Sequence, residues 1–267
     1  MLSFALNHAT APALSVPRMV DLSEQLGMVG VELRIERGVA GTDTTVLALA
    51  EVAAFNAAEA SVLDRAVKLM DMAVAHGIGS IVLIPQVGMR ETETSELTDV
   101  LDLLGPELAA SGLTGLIEPI GFATSTIRTK AEVVRAIETC GYADQFGLVH
   151  DTFHHTLAGE TEFYPALTNI VHISGVTRSG RPADYADADR GLVCSGDQLG
   201  TVAQIAALLR AGYRGAFSFE AFSPDLHSAP DIKGALETSI RFIDQSITML
   251  KAEWIRGECN APIGDPV

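Results

Sequence analysis

Cysteine is scarce in this sequence, with three residues in 267 and no C-x-x-C pair. An odd number of distant cysteines indicates neither a disulfide framework nor a structural zinc site. The chain also lacks an apolar run near the ~18 residues that a membrane span needs. Its first residues lack the basic and apolar regions of a secretory signal. We therefore expect a cytoplasmic protein with no membrane partner.

Basic residues are scarce as well, since 18 Lys and Arg face 34 Asp and Glu, for a formal net charge of −16. Such a surface repels polyanions and anionic membranes, so we expect no nucleic-acid partner. We expect the substrate to be a neutral or weakly charged small molecule that binds together with a cation.

Short apolar runs rich in β-branched residues alternate with longer amphipathic segments along the chain. This alternation indicates right-handed βαβ units and a parallel sheet. Eight units in about 250 residues predict an α/β fold, a single-domain (β/α)8 TIM barrel. A doubly wound open sheet is the rival, but no G-x-G-x-x-G follows the first strand. The predicted strands are Phe4–His8, Val29–Leu33, Val46–Glu51, Ser80–Ile84, Thr114–Glu118, Phe146–Asp151, Ile170–Ser174 and Ala216–Phe222.

Two segments depart from the barrel pattern, which covers residues 1–250. Gly175–Asp197 is long, polar and rich in Arg and Asp, and it follows the seventh strand. We expect it to cover the barrel mouth as a lid or substrate loop. Residues 251–267 lie outside the barrel pattern and contain the only tryptophan, Trp254. This tail is expected to pack on the barrel or to reach a neighbouring subunit, which leaves a homo-oligomer open.

Four consecutive predicted strands carry, at or within two residues of their carboxyl ends, a residue that can bind a metal, namely Glu118, Asp151, His172 and Glu220. In a parallel barrel the carboxyl ends of the strands converge on the active-site mouth. A single Glu or His at a strand end is commonly a solvated rim residue, but four on adjacent strands favour a metal site. Three carboxylates and one imidazole suit Mn²⁺, Mg²⁺, Co²⁺ or Fe²⁺, with Zn²⁺ as a further option.

Two other polar residues near this row are candidates for substrate contact. His154 lies three residues beyond Asp151, where it could reach a substrate hydroxyl. Arg178 lies six residues past His172, in the predicted lid. It could contact a substrate oxygen or orient a ligand carboxylate, and the alternative is an exposed loop arginine.

The motifs along this row resemble those of the xylose isomerase-like barrel superfamily of sugar isomerases and epimerases. Glu118-Pro119-Ile120 is similar to its E-P motif, and Asp151-Thr152-Phe153-His154 is similar to its D-x-x-H motif. The spacing from His172 to Arg178 is similar to the H-x5-R stretch of the superfamily, and Gly212–Glu220 is similar to its closing G-Y-x-G…S-x-E.

Within the superfamily, the chain most resembles the inosose (2-keto-myo-inositol) isomerase group of inositol catabolism. The segments similar to that group are Phe4–His8, Val31–Arg34, Leu49–Val52, His150–Gly159, His172–Val176 and Ser218–Pro224.

The resemblance implies one divalent metal ion on Glu118, Asp151, His172 and Glu220, with the two glutamates also acting as acid and base. The reaction would move a carbonyl to the adjacent carbon of a cyclic or open-chain polyhydroxy ketone through an enediolate. The alternatives are a dehydratase of the inosose or dehydroshikimate type and a sugar 3-epimerase on the same site. Ketose 3-epimerases of the superfamily carry a further acid shortly after E-P-I, where this chain has Thr124. A catalytically silent sugar-binding barrel and a barrel nuclease are weaker alternatives, because the four ligands are all present and the charge is strongly negative.

Overall fold

Eight parallel strands close into a barrel in sequence order in a computed structural model, which describes residues 2–34, 44–88 and 94–256. The predicted (β/α)8 barrel is confirmed, and the bounds of its strands differ from the predicted ones by at most three residues. The strands are β1 (Phe4–Asn7), β2 (Val31–Arg34), β3 (Val46–Ala53), β4 (Ser80–Ile84), β5 (Thr114–Ile117), β6 (Phe146–Asp151), β7 (Thr168–Ile173) and β8 (Ala216–Phe219).

The helices surround the barrel, and none in the described ranges is long and apolar enough to cross a membrane. They are α1 (Val16–Gln25), α2 (Ser61–Ala75), α3 (Leu97–Ser111), α4 (Lys130–Thr139), α5 (Thr152–Ala158), α6 (Thr201–Arg210), α7 (Pro224–His227) and α8 (Ile232–Arg256). The last helix continues six residues into the segment predicted to lie outside the barrel pattern. Trp254 packs against the core there, with the guanidinium carbon of Arg210 5.5 Å from its ring. The rest of that segment, 257–267 with Cys259, lies outside the described residues.

The core has two layers, as the alternation of side chains along each strand requires. The larger layer fills the space between the sheet and the helices. The smaller layer lies inside the barrel and contains Leu116, Val149 and Ile170. Because side chains two residues apart share one face, Glu118, Asp151 and His172 continue these three rows toward the mouth.

Local contacts fix the elements that follow β5 and β6. Thr129 caps α4, because its hydroxyl accepts from the N–H of Glu132 while the Glu132 carboxylate accepts from the N–H of Thr129. Gly121, in the loop after β5, lies so close to α5 that a Cβ would be 2.2 Å from the carbonyl oxygen of His154. This close approach holds the loop beyond Glu118 against the helix that begins after Asp151.

Candidate metal centre

The four predicted ligands lie together at the carboxyl ends of β5 to β8. Asp151 and His172 are directly opposed on β6 and β7, and Glu118 and Glu220 come one residue after β5 and β8. All four are buried, and one ligand atom from each lies within 4.8 Å of the other three. The structure therefore brings together the residues that the strand-end pattern selected.

His172 is the centre of this cluster. Its Nδ1 lies 3.4 Å from Glu118 Oε1, 3.2 Å from Glu220 Oε2 and 4.0 Å from Asp151 Oδ2. No hydrogen bond of good geometry reaches this nitrogen from the described residues. Its other ring nitrogen, Nε2, lies 3.1 Å from Glu32 Oε2. Since Glu32 occupies Nε2, Nδ1 is the atom that carries a proton or binds a cation.

Asp151 and Glu220 are each held by both of their carboxylate oxygens. Asp151 Oδ1 accepts from two N–H groups in the first turn of α5, at 2.7 and 3.0 Å, and so caps that helix. Glu220 Oε1 accepts from Asn7 Nδ2 at 3.2 Å. The second oxygen of each accepts from Nη2 of Arg190, at 2.5 Å for Asp151 and 2.7 Å for Glu220. These contacts fix both carboxylates with one oxygen toward His172.

The two glutamates differ in their protonation. Burial raises the pKa of Glu118 to about 8, with the charges of Glu220 and Asp151 adding to it and His172 opposing it. Burial also raises the pKa of Glu220, but the charges of His172 and Arg190 outweigh it and hold that pKa well below its usual value. Two carboxyl groups with separated pKa values are typical of an acid and base pair.

The chemistry of this donor set fits a divalent ion. Burial alone would lower the pKa of His172, yet the carboxylates of Glu220, Glu32 and Glu118 raise it well above its usual value. The cluster thus carries an excess of negative charge around a buried nitrogen that lacks a hydrogen bond. Carboxylate oxygens and an imidazole nitrogen are ligands for Mn²⁺, Mg²⁺, Co²⁺, Fe²⁺ or Zn²⁺.

The model of a known family, described as the xylose isomerase-like TIM barrel, matches residues 21–246, which contain all four residues of the cluster. This chain belongs to the xylose isomerase-like TIM barrel family. The resemblance to that superfamily is confirmed, while the resemblance to inosose isomerases stays a prediction. No curated protein matches the chain significantly.

Solved structures of similar proteins cover nearly the whole chain. A xylose isomerase domain-containing protein from Salmonella typhimurium is 25% identical with a TM-score of 0.79, covering 93% of this chain and 97% of that one. The IolI protein with a bound zinc atom is 18% identical with a TM-score of 0.78, covering 93% and 99%. An L-ribulose 3-epimerase is 16% identical with a TM-score of 0.73, covering 98% and 100%. These likenesses support a shared fold from one end to the other.

His154 lies beside the cluster, in α5. Its side chain is buried, with edge-on contacts to the rings of Phe122 and Phe153, and its Nδ1 has no hydrogen bond among the described residues. Burial lowers its pKa, so the imidazole is neutral at pH 7. A neutral buried imidazole with a free nitrogen is suited to a substrate oxygen, and its contact with substrate stays a prediction.

Arg178 lies away from the cluster. Its guanidinium is exposed, pairs with Asp189 at 2.9 Å and lies 5.1 Å from the ring of Tyr185. Among the described residues, its hydrogen bonds and ring contact are with Asp184, Asp189 and Tyr185, and none is with the four ligands. The structure thus places it in the arrangement of a loop arginine, and its predicted contact with substrate has no support from these contacts.

Two residues in contact with the cluster were not assigned by the sequence reasoning. Glu32 lies on the second strand, and its position opposite His172 depends on barrel closure. Arg190 belongs to a loop that also contains Arg178 and Arg181, and nothing in the local sequence distinguishes the buried one. What identifies Arg190 is the approach of that loop to the barrel mouth, and only the three-dimensional structure shows that approach.

Proposed function

We propose that this chain is a divalent-metal-dependent isomerase that moves a carbonyl group to the adjacent carbon of a polyhydroxy ketone of the inosose type. The observation that carries the proposal is the convergence of three buried carboxylates on Nδ1 of His172. Membership of the xylose isomerase-like family supports it. Within that family the likeness to the zinc-containing IolI protein supports the metal and the likeness to sugar epimerases supports the substrate class.

Glu118, Asp151, His172 and Glu220 would hold the ion. A bound divalent cation supplies positive charge that polarises a substrate carbonyl and makes the neighbouring C–H more acidic. The chain adds the outer contacts that keep the ligands in place, from Glu32 to His172 and from Asn7 to Glu220. Such outer contacts fix the orientation of metal ligands.

The two glutamates are the proposed proton carriers. One carboxylate removes the proton from the carbon next to the carbonyl, and a carboxylic acid returns a proton to the former carbonyl carbon. The proton of the neighbouring hydroxyl passes to the former carbonyl oxygen, so that this hydroxyl becomes the new carbonyl. Glu118 and Glu220 follow β5 and β8, which are separated by two strands, so their side chains approach the centre from different directions. His154 would hold or polarise a substrate hydroxyl from α5.

A sugar 3-epimerase is the second candidate, and the same placement of the glutamates favours it. Two carboxyl groups that approach from different strands suit the removal of a proton from one face of a carbon and its return to the other. The fold shared with L-ribulose 3-epimerase is compatible with this reaction. Thr124 lies shortly after E-P-I, where the resemblance leads us to expect a further acid in a 3-epimerase, and it therefore favours the isomerase.

The test is incubation of the Mn²⁺-loaded protein with inososes and with free ketoses in deuterated water, followed by NMR. The isomerase predicts an inosose whose carbonyl has moved by one carbon and whose former carbonyl carbon carries deuterium or the transferred proton. Epimerisation instead leaves the carbonyl in place and inverts the neighbouring carbon, and dehydration yields a product lighter by one water. His172→Ala treated in the same way is the matched control. If no substrate is converted or deuterated by the loaded wild type, the proposal is wrong.

A further inference from the structure

Arg190 lies in the long loop after β7, yet only 1% of its surface is exposed. Loop arginines are mostly solvated, and a buried guanidinium needs partners for its charge and its N–H groups. The partners of Arg190 are therefore informative about what the loop does.

Five oxygen atoms surround this guanidinium, and most belong to the cluster at the barrel mouth. Nη2 donates to Asp151 Oδ2 at 2.5 Å, to Glu220 Oε2 at 2.7 Å and to the Glu220 carbonyl at 3.2 Å. Nε donates to Ser174 Oγ at 3.2 Å, and Nη1 donates to Asp187 Oδ1 at 3.4 Å. One nitrogen thus bridges two of the four candidate metal ligands.

The guanidinium has little freedom to move. Its central carbon lies 4.9 Å from the ring centre of Phe153 and 4.6 Å from that of Phe222. The N–H of Phe222 donates to the carbonyl oxygen of Arg190 at 2.8 Å, which fixes the backbone as well. Two planar rings and a backbone contact make this a preorganised group.

The loop itself is attached to the end of β7 next to Arg190. Gly175 and Gly191 exchange two backbone hydrogen bonds of 2.9 and 2.8 Å. The approach is close enough that a Cβ on Gly175 would lie 2.9 Å from the carbonyl oxygen of Leu192. These contacts therefore fix the position of Arg190 relative to the cluster.

These contacts limit the role that Arg190 can have. The two N–H groups of Nη2 are shared among three protein oxygens, so this side of the guanidinium is fully used within the protein. Without a cation between them, the carboxylates of Asp151 and Glu220 would repel each other and turn apart. None of these hydrogen bonds involves Glu118 or Nδ1 of His172, which stay available to a divalent ion.

We propose that Arg190 is a positioning residue of the metal centre, which holds one oxygen each of Asp151 and Glu220 toward Nδ1 of His172. The inference rests on the proposed function, since it concerns the same ion. Outer contacts of this kind typically contribute 10- to 100-fold to metal affinity. A planar fork is required for the bridge, and a lysine ammonium keeps the charge but not the fork.

The experiment measures the apparent Kd for Mn²⁺ by competition with a chelator, on metal-stripped protein, together with thermal melting without and with Mn²⁺. Arg190→Met should bind Mn²⁺ about 10- to 100-fold more weakly than wild type, and Arg190→Lys should lie between them. Arg181→Met is the matched control, because Arg181 lies in the same loop with its side chain exposed and pairs only with Asp184 among the described residues. It should leave the Kd unchanged.

The outcomes separate this inference from the proposed function. A role confined to stability would lower the melting temperature of metal-free protein and leave the Kd of the folded protein unchanged, which would overturn the inference alone. Equal or tighter Mn²⁺ binding by both Arg190 variants would also overturn it. If Arg190→Met does not fold, the Kd of Arg190→Lys decides. A wild type that binds no Mn²⁺ overturns the inference and the proposed function together.

Discussion

At the scale of single residues, Glu32 and His172 form the pair on which the cluster depends. Glu32 lies on β2 and reaches across the barrel to Nε2 of His172, and Asn7 Nδ2 donates to both Glu32 and Glu220. One network of side chains thus connects β1, β2, β7 and β8 across the mouth. A carboxylate behind a metal-binding histidine fixes the orientation of the ring and increases its basicity.

Replacing Glu32 by Gln is predicted to weaken Mn²⁺ binding about 10- to 100-fold, because the amide is a poorer acceptor for Nε2 than the carboxylate. Chelator competition gives the Kd. Glu51→Gln is the control, since Glu51 pairs with Arg34 at 2.6 Å. Unchanged affinity in Glu32→Gln would remove Glu32 from the centre.

The two glutamates provide a second prediction at this scale. Glu118→Gln and Glu220→Gln keep the size of the side chain but remove the basic carboxylate, so turnover should fall ~10²- to 10⁴-fold at saturating metal. Metal saturation is part of the design because an amide is also a poorer ligand.

The variant that lacks the base should in addition fail to exchange the substrate α-proton with deuterated water. The variant that lacks only the returning acid can still exchange it, provided that the abstracted proton escapes first. Near-normal turnover by both metal-loaded variants would contradict their role as acid and base.

At the scale of elements, a buried ion pair joins α4 to the end of α5. Lys130 Nζ donates to Glu160 Oε2 at 2.6 Å, and the carboxylate also accepts from the N–H groups of Lys130 and Ala131 at 3.1 and 2.9 Å. Glu160 thereby supplies acceptors to the first turn of α4, where helix N–H groups lack partners. The two helices that follow β5 and β6 are held together next to Glu118 and Asp151.

This pair predicts a change of stability with pH. Burial would raise the pKa of Glu160, but His155 and Lys130 outweigh it and lower that pKa to about 2. A carboxyl group whose pKa is depressed by folding stabilises the protein above its unfolded value, near 4.5, and loses that effect as the pH falls through its folded value.

Glu160→Gln should therefore cost about 2 kcal/mol of unfolding free energy at pH 7, and the difference from wild type should narrow by about 1 kcal/mol between pH 6 and pH 3.5. Urea unfolding at several pH values gives both quantities. Glu162→Gln, at an exposed position two residues away, should have little effect at any pH. A difference between Glu160→Gln and wild type that is constant with pH would contradict the assignment.

Regular elements could be predicted from the sequence, whereas the loops could not. The alternation of apolar residues predicted the positions of β5 to β8 closely enough to select all four cluster residues, because each lies within one residue of a strand end. The polar loop Gly175–Asp197 was predicted as a lid with Arg178 as its functional residue. In the structure that loop contains short 3₁₀ turns at Pro182–Asp184 and Asp187–Asp189 and directs Arg190 inward instead. Whether it closes over substrate stays a prediction.

At the scale of the whole molecule, the barrel separates the residues that stabilise it from those that carry the chemistry. Leu116, Val149 and Ile170 fill its interior directly below Glu118, Asp151 and His172. The architecture could be predicted because βαβ alternation and chain length restrict the choice of folds. Barrel closure then produces contacts such as the one between Glu32 and His172, 140 residues apart, which no local pattern reports.

The central claim is that the four strand ends hold one divalent ion, and metal analysis of the purified protein tests it most directly. Wild type loaded with Mn²⁺ and then dialysed is predicted to retain about one equivalent per chain. His172→Ala should retain far less, because Nδ1 lies within 4.0 Å of an oxygen from each of the three ligand carboxylates. His76→Ala, which removes an exposed histidine from the end of α2, should match wild type. Wild type without bound metal, or His172→Ala with full occupancy, would contradict the account.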